Sequence, residues 1–430
     1  MTAKKSKRPS AASKKGTAAA KKKGPEAGVD VPKRAMVLAG GGARGAYEAG
    51  VLAYICRELP PNLVKPGSIK VFCGTSVGSI HAAYMAGTAH IPGHDIERML
   101  DVWRDMRLEQ MLKIKATDVM RLPLDVRRLF NRQPQTRGLF LNSERLNEIV
   151  IRDLPWGQMR YNIRSGIIDA LALSATHVQS GKTVVFVDQK GEELPNWSRD
   201  PRVLARATNI RAQHALASAA IPLLFPAIEI EGAYYCDGGV RQNTPLSPAL
   251  RLGADKVLIV GLRSDDPEPV ASARLVDDDQ EPYPGPMFLV GKLIDSIMLD
   301  RLDYDLKRLE GFNTLLKDGE VAFGDSFLDQ MSETARRMRG MRYRPVDTLM
   351  VRPSRDLGQM ANEFVDVFKS KLSGMAGMLF ETISDVEALG GSDLLSYLMF
   401  DGRLAAALIE LGRADADAAR EDLIEFFRDD

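Results

Sequence analysis

The chain reads as an α/β protein: a central, mostly parallel sheet with helices on both faces, followed by a helical C-terminal extension. Two observations carry that expectation. Short apolar runs at Ala35–Ala39, Val71–Cys73 and Lys256–Val260 have strand length, and the first two pass through glycine turns into helical spacing. Strands and helices then alternate along the chain, the pattern of a sheet covered by helices. With 430 residues and 45% hydrophobic content, the chain can bury a large core in one or two domains.

Residues 1–32 stand apart. They are rich in Lys, Ala, Ser, Pro and Gly, have nothing to bury, and read as a disordered tail. Residues 1–23 hold nine of the 58 Lys and Arg residues and no acid, so a net charge of +1 conceals a basic tail on an acidic body. Lys4, Lys5, Lys7, Arg8, Lys14, Lys15 and Lys21 to Lys23 can hold the tail to anionic lipid at roughly 1 kcal/mol per charge. A solvated tail and a loose nucleic-acid contact are the other readings, although no specific nucleic-acid partner is expected. Three cysteines (Cys56, Cys73, Cys236) argue against a disulfide framework and for a reducing compartment. The chain has no apolar run long enough to span a membrane, and its start lacks the apolar core of a secretory signal. A cytoplasmic protein is expected, with any membrane contact peripheral.

Order begins at Arg34. The strand Ala35–Ala39 runs into Gly40-Gly41-Gly42-Ala43-Arg44-Gly45 and a helix carrying Tyr47, Val51, Leu52 and Ile55. This loop fits G-x-G-x-x-G, but a nucleophile elbow follows where a dinucleotide fold would place a ribose-binding acid. It reads better as an array of backbone N–H groups able to hold an oxyanion, with Arg44 fixing the loop or adding positive charge. Gly74-Thr75-Ser76-Val77-Gly78 then fits G-x-S-x-G between a strand and a small-residue helix, the context of a nucleophile elbow. A serine in a glycine turn can also simply cap a helix.

Residues 95–132 read as helices rich in Met, Leu and Arg, either ordinary core helices or a lid. Asn142 or Ser143 starts another helix. Ile167–Ser174 and Thr183–Val187 form a hairpin, with His177 in its loop and Ser180-Gly181-Lys182 at the turn. Ala215–Ala220 is a small-residue helix broken by Pro222. A second hairpin turns at Glu231-Gly232 and ends in Asp237-Gly238-Gly239, which alone reads as a plain turn. Asn243-Thr244-Pro245 leads a helix. Residues 264–286 form an acidic, Pro-rich loop, a long helix runs from about Phe288 to Leu316, and Asp347–Pro353 is the last strand. The remainder from Asn362 is helical.

Serine hydrolases of the α/β type place a histidine after the acid. The five histidines here are His81, His90, His94, His177 and His214, and none follows Asp237. A dyad, with a carboxylate touching the serine directly, is therefore the leading arrangement. Cys73 and Cys236 each precede a candidate catalytic residue. They can lie near one another at the strand ends, as buried fillers or as a redox pair.

The glycine loop, the Ser76 elbow and Asp237-Gly238-Gly239, in that order, resemble the patatin-like phospholipase family. So does Ala217-Ser218-Ala219-Ala220-Ile221-Pro222-Leu223-Leu224-Phe225-Pro226, just ahead of the aspartate. The likeness covers about residues 34–262, and Ala39 replaces a residue that is polar in many relatives. It implies an α/β/α sandwich that hydrolyses lipid acyl esters through a Ser-Asp dyad. Carried over by position, Ser76 is the nucleophile and Asp237 the general base. Gly41, Gly42 and Arg44 supply the oxyanion hole, and Gly40, Gly45, Gly74, Gly78, Gly238 and Gly239 are motif glycines. No calcium-loop pattern is present, so neither metal nor other cofactor is expected.

These readings give a tail over 1–32, a catalytic domain over 33–360 and a helical extension over 361–430, in which residues 392–402 resemble a tail of some bacterial members. The expected activity is release of fatty acid from phospholipid or lysophospholipid at a membrane surface. The alternatives are a triacylglycerol lipase or general carboxylesterase, a phosphate- or nucleotide-binding module, and an inactive membrane-associated scaffold.

Overall fold

Strands β1 (Arg34–Leu38), β2 (Val71–Thr75), β3 (Ala170–His177), β4 (Thr183–Gln189), β5 (Val203–Ala207), β6 (Ile228–Ile230), β7 (Ala233–Asp237), β8 (Lys256–Val260) and β9 (Asp347–Val351) form a single sheet in the computed structural model. The structure describes residues 31–107, 143–191, 194, 197, 200–222, 224–264, 302–324, 326–339, 342–364 and 394–429. The main order is β5-β4-β3-β2-β1-β8-β9. From β3 to β9 every neighbour is parallel, whereas β4 runs antiparallel to β3 as the hairpin spacing requires.

The first helices are α1 (Gly45–Arg57), α2 (Val77–Thr88), α3 (Ile96–Arg104), α4 (Ser143–Arg152), α5 (Trp156–Ser165), α6 (Ala212–Ser218) and α7 (Leu246–Arg251). Then come α8 (Leu302–Phe323), α9 (Phe327–Arg339), α10 (Leu357–Glu363), α11 (Leu394–Leu398), α12 (Gly402–Ala418) and α13 (Arg420–Phe427). Alternate strand residues feed two cores, because successive side chains leave a strand on opposite faces. Met36, Leu38 and Phe72 enter one core; Ala35, Val37, Val71 and Cys73 enter the other. Among the described residues no helix is long and apolar enough to cross a membrane.

One register detail positions the site. β2 ends with Thr75 opposite Ser174 of β3. β7 pairs with the next stretch of β3, placing Asp237 opposite Ala175. Two strands thus meet end to end along β3, and their termini deliver residue 76 and residue 237 to one point.

Pro32–Asp430 forms one compact unit. α12 lies against α1 at near backbone contact: a side chain at Gly50 would strike the Ile409 carbonyl, and one at Gly412 the Tyr47 carbonyl. Tyr54 Oη donates to Asp417 Oδ1 at 2.5 Å. Buried Arg34, at the start of β1, donates to the carbonyls of Phe426 (2.9 Å) and Arg428 (2.5 Å). The chain end is therefore fastened to the first strand.

Two expectations change. His177 is the last residue of β3 rather than a loop residue, pairing with Tyr235 and holding Ser180 Oγ at 2.7 Å. Cys73 and Cys236 lie along the same edge of β3, beside Ala172 and Thr176, four residues apart on that strand and too far from one another to pair. Burial pushes both thiols up, Cys236 to about 11, which suits inert fillers. Of the expected helices over 95–132, α3 is seen and residues 108–132 lie outside the described residues, as does the 264–286 loop apart from residue 264. The long helix is described from Leu302 and extends to Phe323. Leu223 of the small-residue segment also lies outside.

Candidate active site

Ser76 sits where β2 turns into α2, with φ 53° and ψ −127°, a left-handed backbone rare for a residue with a side chain. Such strain costs about 1–3 kcal/mol and persists only when the surroundings impose it. Here they do. A Cβ at Gly74 would strike the Gly78 carbonyl, and one at Gly78 the Leu38 and Ala39 carbonyls, so both flanking positions exclude a side chain. The Ser76 N–H donates to Ser218 Oγ at 3.0 Å, and Ser218 Oγ donates to the Ser174 carbonyl at 2.6 Å. The Ser76 carbonyl accepts from Ser79 N (2.9 Å) and Ser79 Oγ (2.6 Å). The hydroxyl is carried at the positive end of α2.

Asp237 ends β7 and is completely buried. Its Oδ1 accepts the Gly239 N–H at 2.7 Å. Oδ2 is sealed from solvent and meets no well-formed donor. Burial pushes the carboxyl up to about 7; the Ser76 side chain and the Gly239 N–H pull the other way and offset only part of it. Gly238 is needed because a Cβ there would strike the Ser174 carbonyl.

The glycine loop backs onto Ser76. A Cβ at Gly40 would lie 3.0 Å from Ser76 Cβ. Asn243 clamps this residue from both sides: Asn243 Nδ2 donates to the Gly40 carbonyl at 2.9 Å, and the Gly40 N–H donates to the Asn243 carbonyl at 3.2 Å. A short 3-10 turn, Gly42–Arg44, follows, and Gly45 packs against the Val77 methyls. The first bond of the turn runs from Arg44 N to the Gly41 carbonyl at 3.1 Å. The N–H groups of Gly41, Gly42 and Ala43 precede that bond and are not spent within the turn. Arg44 is tied into the loop and to the C-terminal region at once. Its own N–H is used in the turn, and its guanidinium donates to Ser396 Oγ at 2.7 Å and lies 4.1 Å over the Tyr397 ring. These contacts brace the loop.

Ser76 and Gly42 open into a cavity of about 740 Å³, part of it open to solvent, with walls that include Val77, Ile80, Met99, Trp103, Ile221 and Phe225. His81 also borders it, but both ring nitrogens are taken. Trp103 Nε1 donates to Nε2 at 3.0 Å, so the proton sits on Nδ1, which meets Glu48 Oε2 at 2.5 Å. Burial pushes the Glu48 carboxyl up, and the His81 contact pulls it partly back. His214 caps α6 through Arg211, and burial lowers it to about 4.

The patatin-like phospholipase family model matches residues 36–250, half of the chain and the part that holds both Ser76 and Asp237. The chain belongs to that family, and it is a lipid acyl hydrolase. No curated protein sequence matches it. Among solved structures, VipD from Legionella pneumophila is similar at 14% identity and TM-score 0.30, over 87% of this chain and 91% of that one. Human GIVD cytosolic phospholipase A2, in complex with methyl gamma-linolenyl fluorophosphonate, is 13% identical at TM-score 0.38, over 93% of this chain and 58% of that one. The ExoU–SpcU complex from Pseudomonas aeruginosa is 15% identical at TM-score 0.27, over 91% and 76%.

Sequence reasoning brought Ser76, Asp237 and the glycines to this site and missed three supports. Ser218 and Asn243 lay inside segments already singled out, as a small-residue helix and a helix leader, but their bonds reach 142 and 203 residues along the chain. The Glu48–His81–Trp103 chain gave no signal at all, since its members share no motif.

Proposed function

We propose that Ser76 and Asp237 form a catalytic dyad that cleaves acyl esters of phospholipids or lysophospholipids through an acyl-enzyme. The Ser76 Oγ–H proton passes to Asp237 Oδ2 as Oγ bonds to the ester carbonyl carbon. The carbonyl oxygen, now an anion, takes hydrogen bonds from the Gly41 and Gly42 N–H groups, an interaction worth about 3–4 kcal/mol per donor in other enzymes. The C–O bond to the alcohol breaks, and the alcohol leaves with the proton from Asp237. Water then gives a proton to the carboxylate and attacks the acyl carbon; the fatty acid departs and Ser76 recovers its hydrogen.

The observation that carries this reading is a strained, buried serine that borders an apolar cavity and whose side chain meets the fully buried Asp237 carboxyl. Asp is a weak base at its ordinary value near 3.9. Lifted to about 7, it takes a proton more readily and is still substantially ionised at neutral pH. A cavity walled mainly by apolar side chains suits an acyl chain and offers few polar partners to a nucleotide.

The test is a panel of phospholipid, lysophospholipid, triacylglycerol and p-nitrophenyl esters run on the wild type, Ser76→Ala and Asp237→Asn. Fatty acid release from the phospholipids, lost in both variants, supports the reading. Full turnover by Ser76→Ala overturns the dyad, and preference for triacylglycerol or simple esters overturns the substrate class. Residues 1–32 are proposed to hold the enzyme to anionic membranes. Unchanged pelleting with anionic liposomes after their deletion would remove that role.

A further inference from the structure

The segment that closes the site comes from the far end of the chain, outside the region matched by the family. α11 and the residues after it cross behind the glycine loop and along the cavity. At one end, the Tyr397 carbonyl occupies the space a Cβ at Gly42 would need, and Gly42 has φ +55°, so loop and segment meet at backbone contact. Arg44 reaches the same place through its bond to Ser396 Oγ and its stacking on the Tyr397 ring. All three side chains are buried. At the other end, the Gly402 N–H donates to the Met106 carbonyl at 2.9 Å, and Gly402 fits against the Arg104 carbonyl where no side chain would. Between these anchors Phe400 stacks on Trp103, with centroids 6.3 Å apart and planes 9° apart, and both rings border the cavity that contains Ser76.

From this we infer that residues 396–400 are a working part of the active site. Ser396 and Tyr397 position the oxyanion loop through Arg44, and Phe400 is the wall that sets which acyl chains fit. The inference rests on the acyl-hydrolase reading of the same site. Arg44 links the two ends of the chain physically: it starts α1 in the catalytic core and is held by a residue 352 positions later. Without the segment, one wall of the cavity is missing and the face of Gly42 is open to water.

Two measurements separate this inference from the reading beneath it. Octanoate through palmitate are titrated calorimetrically into Ser76→Ala, which needs no turnover, and into Ser76→Ala carrying F400A. Affinity should rise with chain length in the first, and the added F400A should cost the longest chains about tenfold more than the shortest, the scale on which apolar pockets discriminate. An identical chain-length profile overturns the role of Phe400, whether or not the protein proves to be an esterase. For the loop, S396A should lower kcat about tenfold with KM held, and S396T, which keeps the hydroxyl, should restore it. A kcat unchanged in S396A, or equally low in S396A and a well-folded S396T, overturns the positioning role. If the wild type hydrolyses nothing while the binding profile still responds to F400A, the catalytic reading has failed and the cavity assignment stands.

Discussion

Replacing Asp237 with Asn removes a charge that the fold resists. The carboxyl is fully buried and burial lifts it from 3.8 to about 7. Above pH 7 the folded chain must therefore carry an ionised group whose ionisation is less favourable than in the unfolded chain, by on the order of 4 kcal/mol. The sign follows from proton counts. Between about 4 and 7 the folded state holds a proton that the unfolded state has lost, so the wild type gains stability as pH falls through that window and loses it as pH rises. Asn cannot ionise, and its Oδ1 can keep the Gly239 N–H. The variant should thus be more stable than the wild type by about 2–4 kcal/mol at pH 8, with the advantage shrinking by about 2 kcal/mol at pH 5. Its turnover should fall roughly 10²–10⁴-fold, the usual contribution of a general base. Urea unfolding of both proteins at the two pH values measures the first effect, and ester hydrolysis the second. A stability difference of the same size at pH 5 and pH 8 would refute the argument that burial sets this carboxyl.

Three further outcomes follow from the same geometry. The pH profile of kcat/KM should rise through a single ionisation near 7 to an alkaline plateau; a limb near 4 would mean that Asp237 is solvated and ordinary. Ser218→Ala leaves the Ser76 N–H buried without its acceptor, which should cost about 1–3 kcal/mol of stability and lower kcat more than it raises KM; wild-type kcat would mean the elbow holds its shape unaided. Gly238→Ala forces a methyl onto the Ser174 carbonyl and should destabilise by about 1–3 kcal/mol, read as a lowered urea midpoint; an unchanged midpoint would show that the β7 end is free to shift.

Much of this site was legible because its chemistry is local. A serine forced into a left-handed turn needs Gly74 and Gly78 beside it, and a loop that presents N–H groups needs glycines, so both announce themselves in a few residues. The missing histidine after Asp237 was equally plain and pointed to a carboxylate acting alone. Asp237 itself was readable only through resemblance, because Asp-Gly-Gly is a common turn. Its meaning comes from β7 abutting the end of β2 along β3, a pairing that no local pattern encodes. Arg44 shows the same limit: its neighbours suggested that it fixes the loop or adds positive charge, while its partners, Ser396 and Tyr397, lie at the other end of the sequence. Long-range contacts of that kind are set by tertiary packing and leave no periodicity to read. The same holds for His177 and for the two cysteines, whose places depend on which strands lie beside β3.

Ser76 is proposed as the nucleophile, activated by Asp237 alone. A long-chain alkyl fluorophosphonate, which phosphonylates an activated serine and releases fluoride, tests it directly when the labelled peptide is identified by mass spectrometry. One adduct is expected, on Ser76, absent in Ser76→Ala and formed at least about a hundredfold more slowly in Asp237→Asn. Labelling of another residue, or of Ser76 at the wild-type rate in Asp237→Asn, would contradict it.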